Sequence, residues 1–452
     1  MQIVDMPIRR SRLAPILRPV NAFLQAESTG GVLLMLAALA ALIWANSRYA
    51  EGYVHFWHTK VAIGFGASTF SMSLEHWVND GLMAIFFLVV GLEIKREVLI
   101  GELASMRRAA LPLVAAIGGM VVPALVYVAF NHGRDSHHGW GIPMATDIAF
   151  AVGVLTLVGR SIPISVKVFL LAIAIVDDLG AVLVIAIFYT SDISMAALWV
   201  GAGLFAALAL LNLLRVHSPL PYMLLGAGLW AALLASGVHA TIAGVLLAFT
   251  IPATRQIEER SFLEYVRAVL GGFEVQSKIE PDHITANQSH ALKEIEEASQ
   301  AVQTPLARVE HALLMPVTRL IVPLFALANA GVSFSGSSGA SVMGSPVTWG
   351  VLLGLLIGKP IGVMATSWLA IRAGIAALPD GATWRQVFGV SILCGIGFTM
   401  SLFVGNLAFP GNPEFLASAK VGILGASAVS GIIGGLLLWT ARPRADAVTP
   451  EA

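Results

Sequence analysis

The 452-residue sequence predicts an all-α polytopic membrane protein, and three observations predict it. Hydrophobic residues make up 57% of the chain and charged residues 12%, about half the roughly 25% usual in soluble domains. Apolar runs near the length of about 20 residues that crosses a bilayer recur twelve times. Lys and Arg are divided unevenly among the connecting segments, as the positive-inside rule requires. The formal net charge is zero, so there is no global electrostatic case for nucleic acid. The single Cys394 rules out an intrachain disulfide framework.

The first 29 residues carry Arg9, Arg10, Arg12 and Arg18, and no small-residue cleavage site closes the apolar run that follows. They read as an uncleaved cytoplasmic lead-in with a short interfacial helix. The twelve runs lie at 30–46, 80–98, 109–130, 143–159, 166–189, 196–214, 220–236, 238–252, 313–332, 347–370, 386–408 and 416–441. The fourth and eighth are short and contain polar residues, the pattern of interrupted helices in transporters. With the N-terminus placed inside and residues near span ends counted with the segment they adjoin, 21 of the 27 Lys and Arg fall in inner segments and four in outer ones, with Arg319 and Lys359 left inside spans. The chain therefore divides into spans 1–8 over 30–252, a cytoplasmic loop over 253–312, spans 9–12 over 313–441 and a cytoplasmic tail over 442–452. Within 47–79, the stretch Lys60 to Leu74 has β-branched and aromatic residues around Gly64 and Gly66, which suits an extracytoplasmic hairpin. In the long inner loop, Leu292, Ile295, Ala298 and Val302 fall at helical spacing beside Lys293, Glu294, Glu296 and Glu297, the pattern of a solvated helix.

Polar residues inside the spans carry the functional signal. LAIAIVDDLG sets Asp177 and Asp178 in the middle of the fifth run. One charge at that depth costs about 3 kcal/mol on insertion-based scales, so the pair must face protein groups, a cavity or cations. Asp80 opens the second span and Glu93 lies near its other end, where charges either snorkel or act. Asp147 follows Pro143 and Thr146, which favour a local break, and Lys359 is buried in the tenth run just before Pro360. His239, in SGVHATIAG, reads as a satisfied helix-end group or a functional one. The eleventh run contains CGIGFTMS, whose small residues allow either close packing or an unwound stretch with freed carbonyls. Breaks in the fourth and eleventh runs, at corresponding positions of two halves, point to an inverted repeat with a midplane site.

MATDIAFAVG, AIVDDLGAVLVIA, GLEIKRE, SGVHATIAG, LLIGKP and ILCGIGFTMS together resemble the NhaA family of bacterial sodium/proton antiporters, over about residues 30 to 440. The resemblance implies an electrogenic, pH-regulated Na+(Li+)/H+ antiporter in the bacterial inner membrane. It would export cytoplasmic sodium for external protons, with two H+ per Na+, and serve sodium and pH homeostasis. It implies no enzyme activity and no cofactor beyond the transported Na+, Li+ and H+. Asp177 and Asp178 would carry cation and proton, with Thr146 and Asp147 where two interrupted helices cross. Lys359 would pair with the first aspartate, and Asp147 would balance the positive ends of half-helices. The family's pH-response cluster maps onto Glu93, Arg96, Glu97, Glu310 and His311, and His239 joins them as a candidate. Leu314 stands where the family has a second histidine, and the 253–305 insertion is longer than the usual loop. The hairpin at 60–74 would hold a homodimer together in the lipid bilayer.

The chemistry follows from the residue types. Na+ is a hard cation and takes carboxylate, hydroxyl and carbonyl oxygens, which Asp178, Asp177 and Thr146 supply as transient metal ligands. Adjacent helix positions diverge by about 100°, so Asp178 is expected toward the cavity and the fourth span, and Asp177 toward Lys359. Burial and mutual repulsion make protons and Na+ compete for the same oxygens. A sodium-coupled solute symporter is the alternative reading. An aspartyl protease would need carboxylates facing across a gap, and a channel would need a ring or a filter motif.

Overall fold

The computed structural model describes residues 29–65, 68–158, 162–190, 193–279, 285–333 and 338–441. The predicted N-terminal lead-in up to residue 28, the tail 442–452 and the hairpin tip at 66–67 lie outside the described residues. The chain is mostly helical. In order come α1 (Thr29–Ala45), α2 (Ala50–His58), β1 (Lys60–Phe65), β2 (Ser68–Ser73), α3 (Met83–Ile100) and α4 (Met106–Asn131). A 3-10 segment, Asp135–Met144, precedes α5 (Ile148–Val158), then α6 (Ile164–Phe188), α7 (Met195–Leu213), α8 (Pro219–Ser236) and α9 (Ile242–Thr250). The rest are α10 (Glu259–Ile279), α11 (Ala286–Val302), α12 (Pro305–Asn329), α13 (Ser338–Gly344), α14 (Pro346–Arg372), α15 (Trp384–Leu393), α16 (Phe398–Ala408) and α17 (Pro413–Thr440).

Each predicted run falls on a helix or a pair of helix segments. Seven helices (α4, α6, α7, α8, α12, α14 and α17) are long and apolar enough to cross a bilayer among the described residues. Two runs are broken: the 3-10 segment and α5 meet at 41°, and α15 and α16 at 43°. α6, which carries the paired aspartates, is the most buried of the seven and packs on α3, α4, α5, α15 and α16. α7 is the least buried, so its outer face is left for lipid.

Three boundaries differ from the sequence reading. The 47–79 segment holds a helix, α2, as well as the antiparallel hairpin, which pairs Lys60 with Ser73 and Ile63 with Phe70. The ninth run starts at Pro305 rather than 313, because Thr304 caps it (Ala307 N–H to Oγ1, 3.1 Å) and Pro305 suits the first turn. Glu310 and His311 are therefore inside α12, not in a loop. The inner insertion is a helical hairpin, with α10 packed on the expected α11. Apolar residues of α10 at helical spacing, such as Val269 and Phe273, line a crevice with Ala291 of α11. Backbone bonds close the base of the hairpin, from Gln256 N to Ala301 O (3.1 Å) and Leu306 N to Pro252 O (3.1 Å).

α14 owes its shape to Pro360, which has no N–H to bond the preceding turn. The helix widens there into a π turn, Gly354–Gly358, closed by the Lys359 N–H on Gly354 O. Glycines on the same face let α4 come close. A Cβ on Gly362 would stand 2.1 Å from the Gly118 carbonyl oxygen. That approach aims Lys359 into the bundle. Gly362→Ala is expected to cost about 1–3 kcal/mol by overpacking and to lower the thermal midpoint in detergent. Gly272→Ala, on α10 with open space around it, should leave the midpoint unchanged or raise it. Equal midpoints for both would show that α4 and α14 do not depend on this contact.

Candidate functional site

Both interruptions expose backbone groups at the same place. α5 begins after Ala145–Asp147, and α16 begins after Cys394–Gly397. The breaks are joined directly: the Asp147 N–H donates to Ile396 O at 2.7 Å, and the Thr146 hydroxyl lies 3.0 Å from Cys394 O. One oxygen of the Asp147 carboxylate accepts the Phe150 N–H (2.9 Å), in the first turn of α5. The other accepts the Thr399 N–H (3.0 Å) and the Thr399 hydroxyl, at the start of α16. One negative charge thus caps two helix N-termini, where free N–H groups and the dipoles favour it.

A complementary arrangement serves a helix end of opposite sign. Lys359 Nζ donates to the Met144 carbonyl, the last residue of the 3-10 segment, and lies 2.8 Å from Asp177 Oδ2. The Thr146 hydroxyl is 2.7 Å from that same oxygen. Lys359, Asp177 and Thr146 are all fully buried. Asp178, next along α6, is equally buried, but neither of its oxygens has a hydrogen-bond partner among the described residues, and nor has Asp177 Oδ1. A carboxylate at that depth without a protein donor is left to a proton, a cation or water. Three oxygens of two adjacent side chains therefore converge on proton or hard-cation chemistry.

A second cluster lies further along α3. Arg96 reaches Glu310 at 2.7 Å, Glu97 at 3.5 Å and Glu93 at 3.7 Å. Between this cluster and the aspartates, Val90 and Ile94 of α3 pack on Ile175 of α6. Two further predicted members stand outside its ion pairs. His311, next to Glu310 on α12, is exposed and makes no ion pair among the described residues. His239 follows α8, with its Nε2 2.7 Å from Tyr189 O at the end of α6. That is the end of the bundle where Trp230 bonds the Asp80 carbonyl (2.8 Å), about 20 Å from Glu93 along α3. In the sequence, Thr399 stands in CGIGFTMS only as part of a small-residue stretch. A hydroxyl in the first turn after a Gly-x-Gly break is the signal that could have marked it as a partner of Asp147.

The sequence profile of the family described as Na+/H+ antiporter 1 matches residues 21–438. The chain is 47% identical over 425 residues to the Na(+)/H(+) antiporter NhaA of Sulfurimonas denitrificans, covering 94% of this chain and 95% of that protein. It is 48% identical over 435 residues to the Na(+)/H(+) antiporter NhaA of Koribacter versatilis (95% and 94% covered). With the Na(+)/H(+) antiporter NhaA 2 of Pseudomonas syringae pv. syringae it shares 50% identity over 433 residues (96% and 97% covered).

Removing one partner of a buried pair leaves the other charge uncompensated, at about 3–5 kcal/mol. Lys359→Met should therefore lower the thermal midpoint strongly. The double variant Asp177→Asn with Lys359→Met should recover much of that loss, since no charge is then stranded. Simple additivity of the two substitutions in thermal unfolding would show that the groups do not interact.

Proposed function

The chain belongs to the NhaA family of Na+/H+ antiporters, and on that premise we propose that it exchanges Na+ or Li+ for H+ at Asp178 and Asp177. It is an integral membrane protein, and the site needs no cofactor beyond the ions it moves. The observation that carries the reading is the donor-free carboxylate of Asp178 beside the Lys359-held Asp177. Na+ takes the Asp178 oxygens and Asp177 Oδ1, and Thr146 contributes its hydroxyl oxygen once its proton turns to Cys394 O. Protons take the same oxygens when Na+ leaves. The site then crosses the membrane loaded with one ion or the other. Asp147 does not exchange; it holds the two helix breaks together.

The wider topology belongs to the same proposal. The bundle has twelve spans with both ends cytoplasmic, two inverted repeats, and the interrupted fourth and eleventh spans crossing at the site. The hairpin at Lys60–Ser73 joins two copies. The Arg96 cluster, at the cytoplasmic end of the second span, sets the pH range, with carboxylates rather than His311 as the responsive groups. Sodium leaves the bacterial cytoplasm through the inner membrane, driven by entering protons.

Asp178→Asn keeps the side-chain size but removes charge and titration, so Na+-induced proton movement in everted vesicles should fall to background while the protein still inserts. Exchange at the normal rate would refute the role. The unsubstituted protein in proteoliposomes tests the stoichiometry. If two protons move per Na+, one net charge crosses, worth about 2.3 kcal/mol per 100 mV. A K+-valinomycin potential should then change the equilibrium Na+ gradient, whereas a gradient that ignores the potential would mean one-for-one exchange.

The pH reading is tested at Glu310. Glu310→Gln takes one carboxylate out of the cluster and leaves Arg96 to Glu93 and Glu97. The activation midpoint should move to lower pH with the maximal rate kept. An unmoved midpoint would leave the cluster as a helix-end ion network.

A further inference from the structure

The helices that carry the Arg96 cluster also meet at their other ends. Asn79, in the turn leading into α3, and Asn329, at the end of α12, exchange amide contacts: Asn329 Nδ2 donates to Asn79 Oδ1 at 2.8 Å, and Asn79 Nδ2 lies 3.4 Å from Asn329 Oδ1. α3 and α12 are thus stapled twice, by Arg96 to Glu310 at one end and by two amides at the other. α16 joins the second staple, because Asn406 Nδ2 donates to the same Asn329 Oδ1 at 2.6 Å. Asn329 is fully buried, and Asn406 Oδ1 is buried without a partner among the described residues.

An aromatic layer lies directly beneath this junction. The Phe403 ring of α16 is 5.3 Å from Phe87 of α3 and 6.2 Å from Phe325 of α12, centroid to centroid, and all three side chains are buried. On α16 the order is Thr399 at the site, Phe403 about 6 Å on and Asn406 about 10 Å on. α3 and α12 repeat the order from the other end, Asn79 then Phe87 and Asn329 then Phe325. An apolar layer and an amide layer therefore stand between Thr399 and the end of the bundle opposite Arg96. The amide layer is held by neutral hydrogen bonds, which water replaces at small net cost. The contact can therefore close firmly and still open. Since α16 begins on the Asp147 carboxylate, a shift of the site moves Asn406 with it.

We propose that the Asn79–Asn329–Asn406 junction, with the Phe87–Phe325–Phe403 stack beneath it, is the gate that closes the transport site on the face opposite Arg96. α16 unhooks there from the α3–α12 pair when the site opens to that face. This rests on the reading of Asp177 and Asp178 as the transport site.

Paired cysteines, Asn329→Cys with Asn406→Cys in a Cys394→Ala background, test it in proteoliposomes. Oxidative cross-linking should cut Na+-driven proton movement at least tenfold, and a reductant should restore it. Undiminished exchange by the cross-linked protein would overturn the gate and leave the antiport reading standing. Absence of exchange in the unsubstituted protein would overturn that reading instead. Asn406→Leu keeps the branched shape but removes the amide, so it should favour the open state. Its apparent KM for Na+ should fall three- to tenfold on the face opposite Arg96 and rise on the other. Unchanged values on both faces would also overturn the proposal.

Discussion

In the interior of a bilayer, an interrupted helix frees N–H and C=O groups that no water can satisfy. Asp147 resolves that constraint for two helices at once, accepting the Phe150 N–H of α5 and the Thr399 N–H of α16. The rest of the site depends on it. With both N-termini held by one charge, the unwound stretches Ala145–Asp147 and Cys394–Gly397 can persist and present carbonyls near α6. The carbonyl ends are dealt with separately, by Lys359 on Met144 O and by the Thr146 hydroxyl beside Cys394 O. Positive and negative helix ends are thereby matched to opposite charges within one small volume.

That matching also explains why the two neighbouring aspartates behave differently. Asp177 is engaged by Lys359 and Thr146, whereas Asp178 has no protein donor. Three acids and one lysine are buried together, and the fixed groups compensate Asp147 and Asp177. Among the described residues, no fixed group compensates Asp178 in this way. On the proposed reading, such a site suits exchange rather than permanent binding, because no fixed protein group balances its last charge. The geometry of Lys359 follows from backbone features, the π turn before Pro360 and the glycine contact of α14 with α4.

The helices α3 and α12 give the site its two ends. Their Arg96–Glu310 contact and their asparagine junction are separated by most of a helix length, and the aspartates lie between. α16 touches the Asp147 cap at its start and the asparagines near its end. One helix thus connects the cap to the far layer, through Thr399 at one end and Asn406 at the other.

Much of this was legible in the residues. The apolar runs, the uneven Lys and Arg, and the depth of Asp147, Asp177, Asp178 and Lys359 follow from local hydrophobicity, which does not depend on partners. Local rules also marked the breaks, through Pro143 and Thr146 and through the glycines around Cys394. What stayed hidden needed distant contacts. α2 and α10 are stabilised by packing rather than by strong start signals. The asparagine junction joins residues 250 and 77 positions apart, and an asparagine in sequence reads only as a polar residue near a helix end. The contact of His239 with Tyr189 O at the end of α6 likewise depends on where distant elements meet. The sequence by itself determined that two carboxylates stand at mid-membrane depth on diverging faces of one helix. Only the tertiary structure decided which is paired and which has no protein donor, because that depends on where α14 and the two broken helices place their few donors.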